Sequence, residues 1–212
     1  MIKACIFDFD GVIVDSEKYH HLGWVWVAEE LGVELSYEEY APFKSAGRAK
    51  VIPYLFEKAG KAMQEGDFDK YSRIREEKIA TAIAKLNEND VMPGVVEFVK
   101  LLKANGIKVA VASASASSNR VAKRFGLYEL FDAFVDGEAK LAAKPNPDIF
   151  LHAAHLLGVA PHECVVFEDS INGILAAKNA QMKCVGFQTY FCNKADKIID
   201  SFVGADLGLL EF

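Results

Sequence analysis

The stretch "IFDFDGVIVDS", residues 6–16, decides how the rest of the chain is interpreted. It contains the end of an apolar run, 2–7, whose almost unbroken character predicts a strand buried on both faces of a parallel sheet. Asp8 and Asp10 follow that strand directly. Two carboxylates this close repel each other unless a counter-charge or a proton is nearby. A simple turn, in which Asp is common and Gly11 follows naturally, is the alternative interpretation.

The spacing of apolar residues changes after this strand. Residues 16–89 carry apolar positions at helical spacing and no convincing strand, with a capping box at Ser36 and Glu39. The block predicts a small helical bundle in which each helix buries one apolar stripe. Its links to the rest of the chain, near 15–17 and 87–93, are expected to lie close together and to act as a hinge.

Strands and helices alternate from residue 90 onward. The predicted strands are 108–113, 132–136, 164–167 and 183–187, and the predicted helices are 94–104, 117–125, 147–157 and 171–179. Asn146 is expected to cap helix 147–157, with Pro147 as its first residue. Repeated strand–helix units predict an α/β fold: a doubly wound, Rossmann-like parallel sheet formed by 1–15 and 90–212, with 16–89 inserted as a helical cap.

Composition narrows the classes of partner. The chain has 212 residues, 51% of them hydrophobic, and a formal net charge of −6. No apolar run approaches the roughly 18 residues that span a bilayer, and the first residues lack the pattern of a signal peptide. Without a basic patch we expect no nucleic-acid or membrane partner. We therefore expect a cytoplasmic monomer that acts on a small molecule.

Reactive side chains stand at the carboxyl ends of three predicted strands. Asp8 ends the first strand, Ser113 the next, and Glu168 and Asp169 follow strand 164–167; Lys144 lies in a loop. In a doubly wound sheet such strand ends gather at one edge, where ligands bind. Clustered carboxylates suit Mg²⁺, with Asp8 and Asp169 as direct ligands and Glu168 acting through water or a neighbouring ligand.

Each of these residues also has an ordinary interpretation. Glu168, Asp169 and Ser170 could simply cap the helix that follows them and complement its dipole. Lys144 could be a solvated loop lysine, and the serines of 113–118 could form a flexible loop. It is their combination, in this order along the chain, that favours a catalytic site.

The combination resembles a known family. "DFDGVIVD" resembles the DxDGVxxD opening of the haloacid dehalogenase superfamily, and Ser113, Lys144 with Pro145, and the Glu168–Asp169 pair stand where its three later motifs are expected. The match spans nearly the whole chain. Within the superfamily, "DGVIVDSEKYHHLGW", "VASAS", "KPNPDIF" and "FEDSINGI" resemble the β-phosphoglucomutase-like branch, whose cap is a helical bundle inserted after the first motif.

The resemblance implies a division of roles. Asp8 would be the nucleophile that forms an aspartyl-phosphate, and Asp10 the general acid and then general base, with its main-chain carbonyl as a further Mg²⁺ ligand. Ser113 and the N–H of Ala114 would hold phosphoryl oxygens, and Lys144 would neutralise charge near the nucleophile.

Two residues of the predicted cap are candidates for binding the substrate. Arg48 is suited to a phosphate group because of its forked guanidinium, and His20 follows the first motif closely; surface charge and a helix-face histidine are the alternatives. The mutase loop typically reads GxSRxxS, whereas residues 46–51 are "AGRAKV". The arginine is kept and the serines are not, which favours a sugar-phosphate phosphatase over β-phosphoglucomutase.

Two more distant classes share part of the pattern. A haloalkanoate dehalogenase would use Asp8 but does not need a second acid at Asp10. A phospho-receiver module also gathers acids, Mg²⁺, a hydroxyl and a lysine on a parallel sheet, but its acceptor ends an internal strand and it has no inserted cap. Both fit this chain less well than a phosphoryl-transfer enzyme.

Overall fold

Buried strands of the chain assemble into one parallel sheet. A computed structural model describes residues 1–188 and 193–212. In that part of the chain the strands are β1 (Ala4–Phe7), β2 (Lys108–Ala112), β3 (Ala133–Val135), β4 (Cys164–Glu168), β5 (Lys183–Phe187) and β6 (Lys197–Ile199). Their order is β3-β2-β1-β4-β5-β6, and each neighbouring pair is parallel. The order reverses between β1 and β4, so ligands are expected at the carboxyl end of β1.

Alternate residues of β1 serve two separate cores. Cys5 and Phe7 face a cluster rich in aromatic residues, where the Phe7 ring stacks on Phe167 with their centroids 4.7 Å apart. Ala4 and Ile6 face the opposite cluster. Both faces of the sheet are therefore covered, which confirms the doubly wound α/β prediction and explains why the strand contains almost no polar residue.

Helices cover the sheet and form the insertion. They are α1 (Glu17–Leu31), α2 (Tyr37–Tyr40), α3 (Arg48–Lys58), α4 (Asp67–Ile83), α5 (Val95–Ala104), α6 (Ser118–Arg124), α7 (Asp148–Leu157) and α8 (Ile171–Asn179). The first four share a third cluster of buried residues that includes Trp24, Val27 and Leu55. The insertion thus has an apolar core of its own. None of the described helices combines the length and apolar character needed to cross a bilayer.

The two links of the insertion run side by side, as expected from the sequence. The Asp15 N–H donates to the Asp90 carbonyl at 2.7 Å, and the Met92 N–H donates to the Ile13 carbonyl at 2.9 Å. Val14 lies between them in an antiparallel bridge with the second link. We infer that this pair of links is the boundary between a helical cap, 16–89, and an α/β core.

Several predicted boundaries shift by one or two residues, and one strand was not predicted. β1 begins at Ala4 rather than at residue 2. Helix α7 begins at Asp148, because Pro147 is the capping residue and the Asn146 side chain accepts a hydrogen bond from the Asp148 N–H. Strand β6 was not predicted, since three residues are too few to show a two-residue period.

Candidate active site

Asp8, Glu168 and Lys144 form a buried ion triad at the centre of the sheet edge. The Asp8 N–H donates to the Phe167 carbonyl, which fixes the residue just beyond the end of β1. Lys144 Nζ lies 2.6 Å from Asp8 Oδ1 and 2.7 Å from Glu168 Oε2. Lys144 is 2% exposed. This lysine is therefore not a solvated loop residue, because its ammonium bridges the ends of two adjacent strands.

The other oxygen of Glu168 is also occupied. Oε1 accepts hydrogen bonds from the Ser170 hydroxyl at 2.7 Å and from the Ser170 N–H at 3.1 Å. Ser170 caps helix α8 as well, since its hydroxyl accepts from the Gly173 N–H. The capping interpretation therefore holds for Ser170, and the same residue fixes the Glu168 carboxylate in place, while the catalytic role of this segment stays a prediction.

Asp169 lies beside the triad and faces a lysine from the cap. Its Oδ2 lies 2.5 Å from Nζ of Lys44. Ligand oxygens of Asp8, Glu168 and Asp169 all lie within 4.8 Å of one another. Gly11 gives this group its room: at φ +84°, a Cβ there would lie 2.3 Å from Asp169 Oδ2. Any side chain at position 11 would displace the carboxylate.

Asp10 points to a different set of partners. Its Oδ1 accepts from the Ser16 hydroxyl at 2.5 Å and lies 2.9 Å from His20 Nε2. Its Oδ2 accepts from the Ser113 hydroxyl at 3.2 Å. The structure therefore brings His20 and Ser113 to Asp10, while the Asp10 carboxylate lies outside the group of three formed by Asp8 and the acids that follow β4.

The charges of the group are only partly balanced. Burial and the neighbouring Glu168 raise the pKa of Asp8 well above its usual range, although Lys144 opposes the rise. Burial raises the pKa of Asp169 to about 7, against the effect of Lys44. Two ammonium groups therefore leave the carboxylates short of positive charge.

Asp10 shows the opposite behaviour. Burial alone would raise the pKa of Asp10, but His20 and the hydroxyls of Ser16 and Ser113 outweigh it, so the pKa is lowered. Asp10 in turn raises the pKa of His20 against the effect of burial. This aspartate is thus held as a carboxylate, the form that accepts a proton.

A cavity of about 330 Å³ opens between Asp8 and the cap. The cap candidates His20 and Arg48 both line it, as does Ala114 on the core side. Arg48 is half-exposed, and its Nη1 lies 3.7 Å from Glu76 Oε1. His20, Arg48 and Ala114 therefore share one cavity with Asp8, the predicted nucleophile, whereas Ser113 and Lys144 do not line it.

Sequence reasoning missed several residues of the site. Ser16 follows the first motif directly, so a hydroxyl within reach of Asp10 could have been inferred from the spacing. Lys44 gave no signal, since a single lysine in the stretch "APFKSAG", residues 41–47, belongs to no periodic pattern or motif. Arg75 of helix α4 lies with its guanidinium carbon 4.4 Å from the centre of the Trp24 ring and its Nη2 3.3 Å from His20 Nδ1.

Comparisons with known proteins agree with this geometry. Residues 2–181 match the haloacid dehalogenase-like hydrolase family. The chain is 33% identical to a β-phosphoglucomutase of Bacillus subtilis over 187 residues, covering 87% of this chain and 83% of the relative. It is 35% identical to hexitol phosphatase B of Escherichia coli over 187 residues, with coverage of 87% and 82%.

The fold of the whole chain is found in a solved structure. A crystal structure of a β-phosphoglucomutase from Clostridium difficile superposes with a TM-score of 0.91 at 29% identity, covering all of this chain and 96% of the other. The helical insertion is therefore shared along with the sheet. The chain belongs to the haloacid dehalogenase-like hydrolases and is an enzyme of the phosphatase and phosphomutase type, in the branch that contains β-phosphoglucomutase.

Proposed function

We propose that the enzyme removes phosphate from a small phosphorylated sugar, with Asp8 as the nucleophile. The observation that carries this proposal is the meeting of Asp8 and Asp10 at one cavity, with Lys144 against the first and a hydrogen-bonded hydroxyl against the second. Relatives named as sugar phosphatases, such as fructose-1-phosphate phosphatase of Escherichia coli, support the class of substrate.

The first half of the reaction uses both aspartates. A carboxylate oxygen of Asp8 attacks phosphorus, the bond from phosphorus to the sugar oxygen breaks, and Asp10 delivers a proton to that oxygen. The lowered pKa of Asp10 disfavours the acid form in the free enzyme. Arrival of an anionic phosphate favours protonation of a neighbouring carboxylate, so binding of substrate prepares Asp10 for this role.

The second half restores the enzyme. Water gives its proton to the Asp10 carboxylate and attacks phosphorus, the bond from phosphorus to Asp8 breaks, and inorganic phosphate leaves. Lys144 stabilises Asp8 as a leaving carboxylate because its ammonium already lies 2.6 Å away. The Ser113 hydroxyl, 3.2 Å from Asp10 Oδ2, and the Ala114 N–H would donate to the phosphoryl oxygens.

The residues present fit a Mg²⁺ ion. Three carboxylates with oxygens within 4.8 Å form the donor set that a hard divalent cation prefers, and the raised pKa values of Asp8 and Asp169 indicate missing positive charge. Asp8, Asp169 and the Asp10 main-chain carbonyl would hold the ion, and Glu168 would act through water or through a neighbouring ligand. Bound there, Mg²⁺ would supply charge neutralisation for the phosphoryl oxygens.

A β-phosphoglucomutase is the second candidate. The overall likeness to solved mutases and Arg48 on the cavity favour it. The loop at 46–51 lacks the serines typical of the mutase, which favours hydrolysis. A mutase would use a sugar hydroxyl in place of water in the second half, with Asp10 accepting the proton of that hydroxyl.

One assay separates the two. Purified enzyme with Mg²⁺ is given a panel of sugar phosphates, and both released phosphate and glucose 6-phosphate formed from β-glucose 1-phosphate with a trace of bisphosphate are measured. We expect phosphate release, and no turnover by Asp8→Asn. Glucose 6-phosphate without phosphate release would replace the phosphatase by the mutase, and activity in Asp8→Asn would remove the assigned nucleophile.

A further inference from the structure

The cap loop, residues 41–47, is tied to the core by one side chain that the reaction does not use. Asn172 is the second residue of helix α8. Its Nδ2 donates one hydrogen bond to the Pro42 carbonyl at 2.9 Å and one to the Lys44 carbonyl at 2.8 Å. An asparagine amide has two N–H donors, and here both are directed to the cap loop.

Two further contacts hold the same loop against the core. Lys44 Nζ lies 2.5 Å from Asp169 Oδ2. Gly47, at φ +77°, comes so close that a Cβ on it would lie 3.1 Å from the Ala143 side chain. The cap loop therefore contacts core segments on both sides of the site: the start of α8 and the segment that leads into Lys144.

The cap loop also forms part of the cavity wall. Ser45 and Gly47 line the cavity, and Arg48 begins the helix that follows the loop. Any movement of the loop away from α8 would carry these groups away from Asp8. Main-chain carbonyls fixed by an amide on the core thus determine where the cap meets the reacting atoms.

We propose that Asn172 is a positioning residue that holds the cap loop closed over the active site. The effect on turnover rests on the proposed function, whereas the hydrogen bonds from Asn172 to the cap loop do not depend on it. Two neutral hydrogen bonds of this kind shift the closing equilibrium by a factor on the order of 10 or more. Without these hydrogen bonds, part of the substrate's binding free energy must be used to close the loop. Loss of the Asn172 amide therefore raises KM more than it lowers kcat.

The sharpest variant is Asn172→Asp. It keeps the size of the side chain but turns a carboxylate towards two carbonyl oxygens, so the tie becomes a repulsion. A negative charge in the first turn of α8 favours the helix, so the fold is retained. Asn172→Ala removes the amide without adding charge. Asn105→Ala is the matched control, because among the described residues its amide donates to the Leu101 carbonyl of α5, the helix that it follows, and makes no bond to the cap loop.

Hydrogen exchange measures the tie directly. In the intact chain, the Lys44 and Ala46 N–H groups donate within the cap loop, to Ala41 and Phe43 respectively. We expect exchange over 41–47 to rise about tenfold or more in both Asn172 variants and to stay unchanged in the control. On the best sugar phosphate, KM should rise about tenfold while kcat changes less than about threefold.

The outcomes separate the two proposals. Unchanged exchange over 41–47 in both Asn172 variants overturns the tie, whatever happens to activity. Faster exchange together with a fall in kcat alone overturns the role in closing. If the wild-type enzyme releases phosphate from no sugar phosphate, the proposed function fails, and the exchange experiment still decides whether Asn172 holds the loop.

Discussion

Replacing Lys144 by methionine removes the ammonium that Asp8 and Glu168 share. Both carboxylates are at most 4% exposed, and each lies within 2.7 Å of Lys144 Nζ. Removal of one partner from a buried ion pair costs about 3–5 kcal/mol, because the remaining charge is left without compensation. We expect Lys144→Met to lose about 3–5 kcal/mol of unfolding free energy at pH 8 in EDTA. Both carboxylates lose their partner, but the loss stays near that of one ion pair because the two can share a proton that they take up.

The pH dependence follows from the direction of the shift. Burial and Glu168 already raise the pKa of Asp8 above its unfolded value, and loss of Lys144 raises it further. Such a carboxyl does not destabilise the folded state at a pH below its unfolded pKa. The destabilisation grows as the pH rises from the unfolded pKa through the raised pKa of the folded state. The variant should therefore lose less stability at pH 5 than at pH 8.

Urea unfolding in EDTA at the two pH values measures the effect. Lys103→Met is the matched control, because Lys103 pairs with Asp132 at the surface, where both side chains are more than one-third exposed, and its loss should cost under about 1 kcal/mol. A loss below about 1 kcal/mol for Lys144→Met at pH 8, or one that does not depend on pH, would refute the reasoning.

Three further predictions test other parts of the molecule. Asp10→Asn should lower kcat on a sugar phosphate by about 10²–10⁴, and by less on p-nitrophenyl phosphate, whose leaving group needs little acid; equal losses on both in steady-state assays would contradict a proton-donor role. Gly11→Ala places a Cβ 2.3 Å from Asp169 Oδ2 and should raise the half-saturating Mg²⁺ concentration at least about tenfold. Titration calorimetry of the variant and of the wild-type enzyme with Mg²⁺ measures this difference, and equal values would contradict it. Asp196→Asn weakens bonds from two lysines and from a main-chain N–H of β5, and should cost about 1–3 kcal/mol at pH 7. Burial would raise the pKa of Asp196, but these partners lower it, so its contribution is present above the unfolded pKa and is lost as the pH falls through the lowered value; urea unfolding at pH 7 and pH 3 should show the difference disappearing in acid.

The sheet and the residues at its strand ends were predictable from sequence for one physical reason. A strand buried on both faces has a nearly unbroken apolar run, and polar residues directly after such a run must lie at the sheet edge. Asp8, Ser113 and Asp169 all follow that rule. Lys144 lies in a loop, and only the motif order placed it beside Asp8.

Contacts made by the cap loop could not be predicted in the same way. Lys44 and Asn172 meet across 128 residues of sequence. Neither has a periodic pattern, and their contact exists only because the helical insertion folds back over the sheet edge. Strand β6 could not be predicted for a simpler reason: its three residues show no pattern that differs from that of a loop.

The paired links at residues 13–15 and 90–92 also constrain how the cap can move. A single connecting strand can twist freely, whereas two strands joined by main-chain hydrogen bonds must bend together. If the cap moves as a unit, such a ribbon would leave it about one axis of rotation, and we expect each closure to follow the same path. Product release and the return of the cap side chains to the active site would then be reproducible from one catalytic cycle to the next.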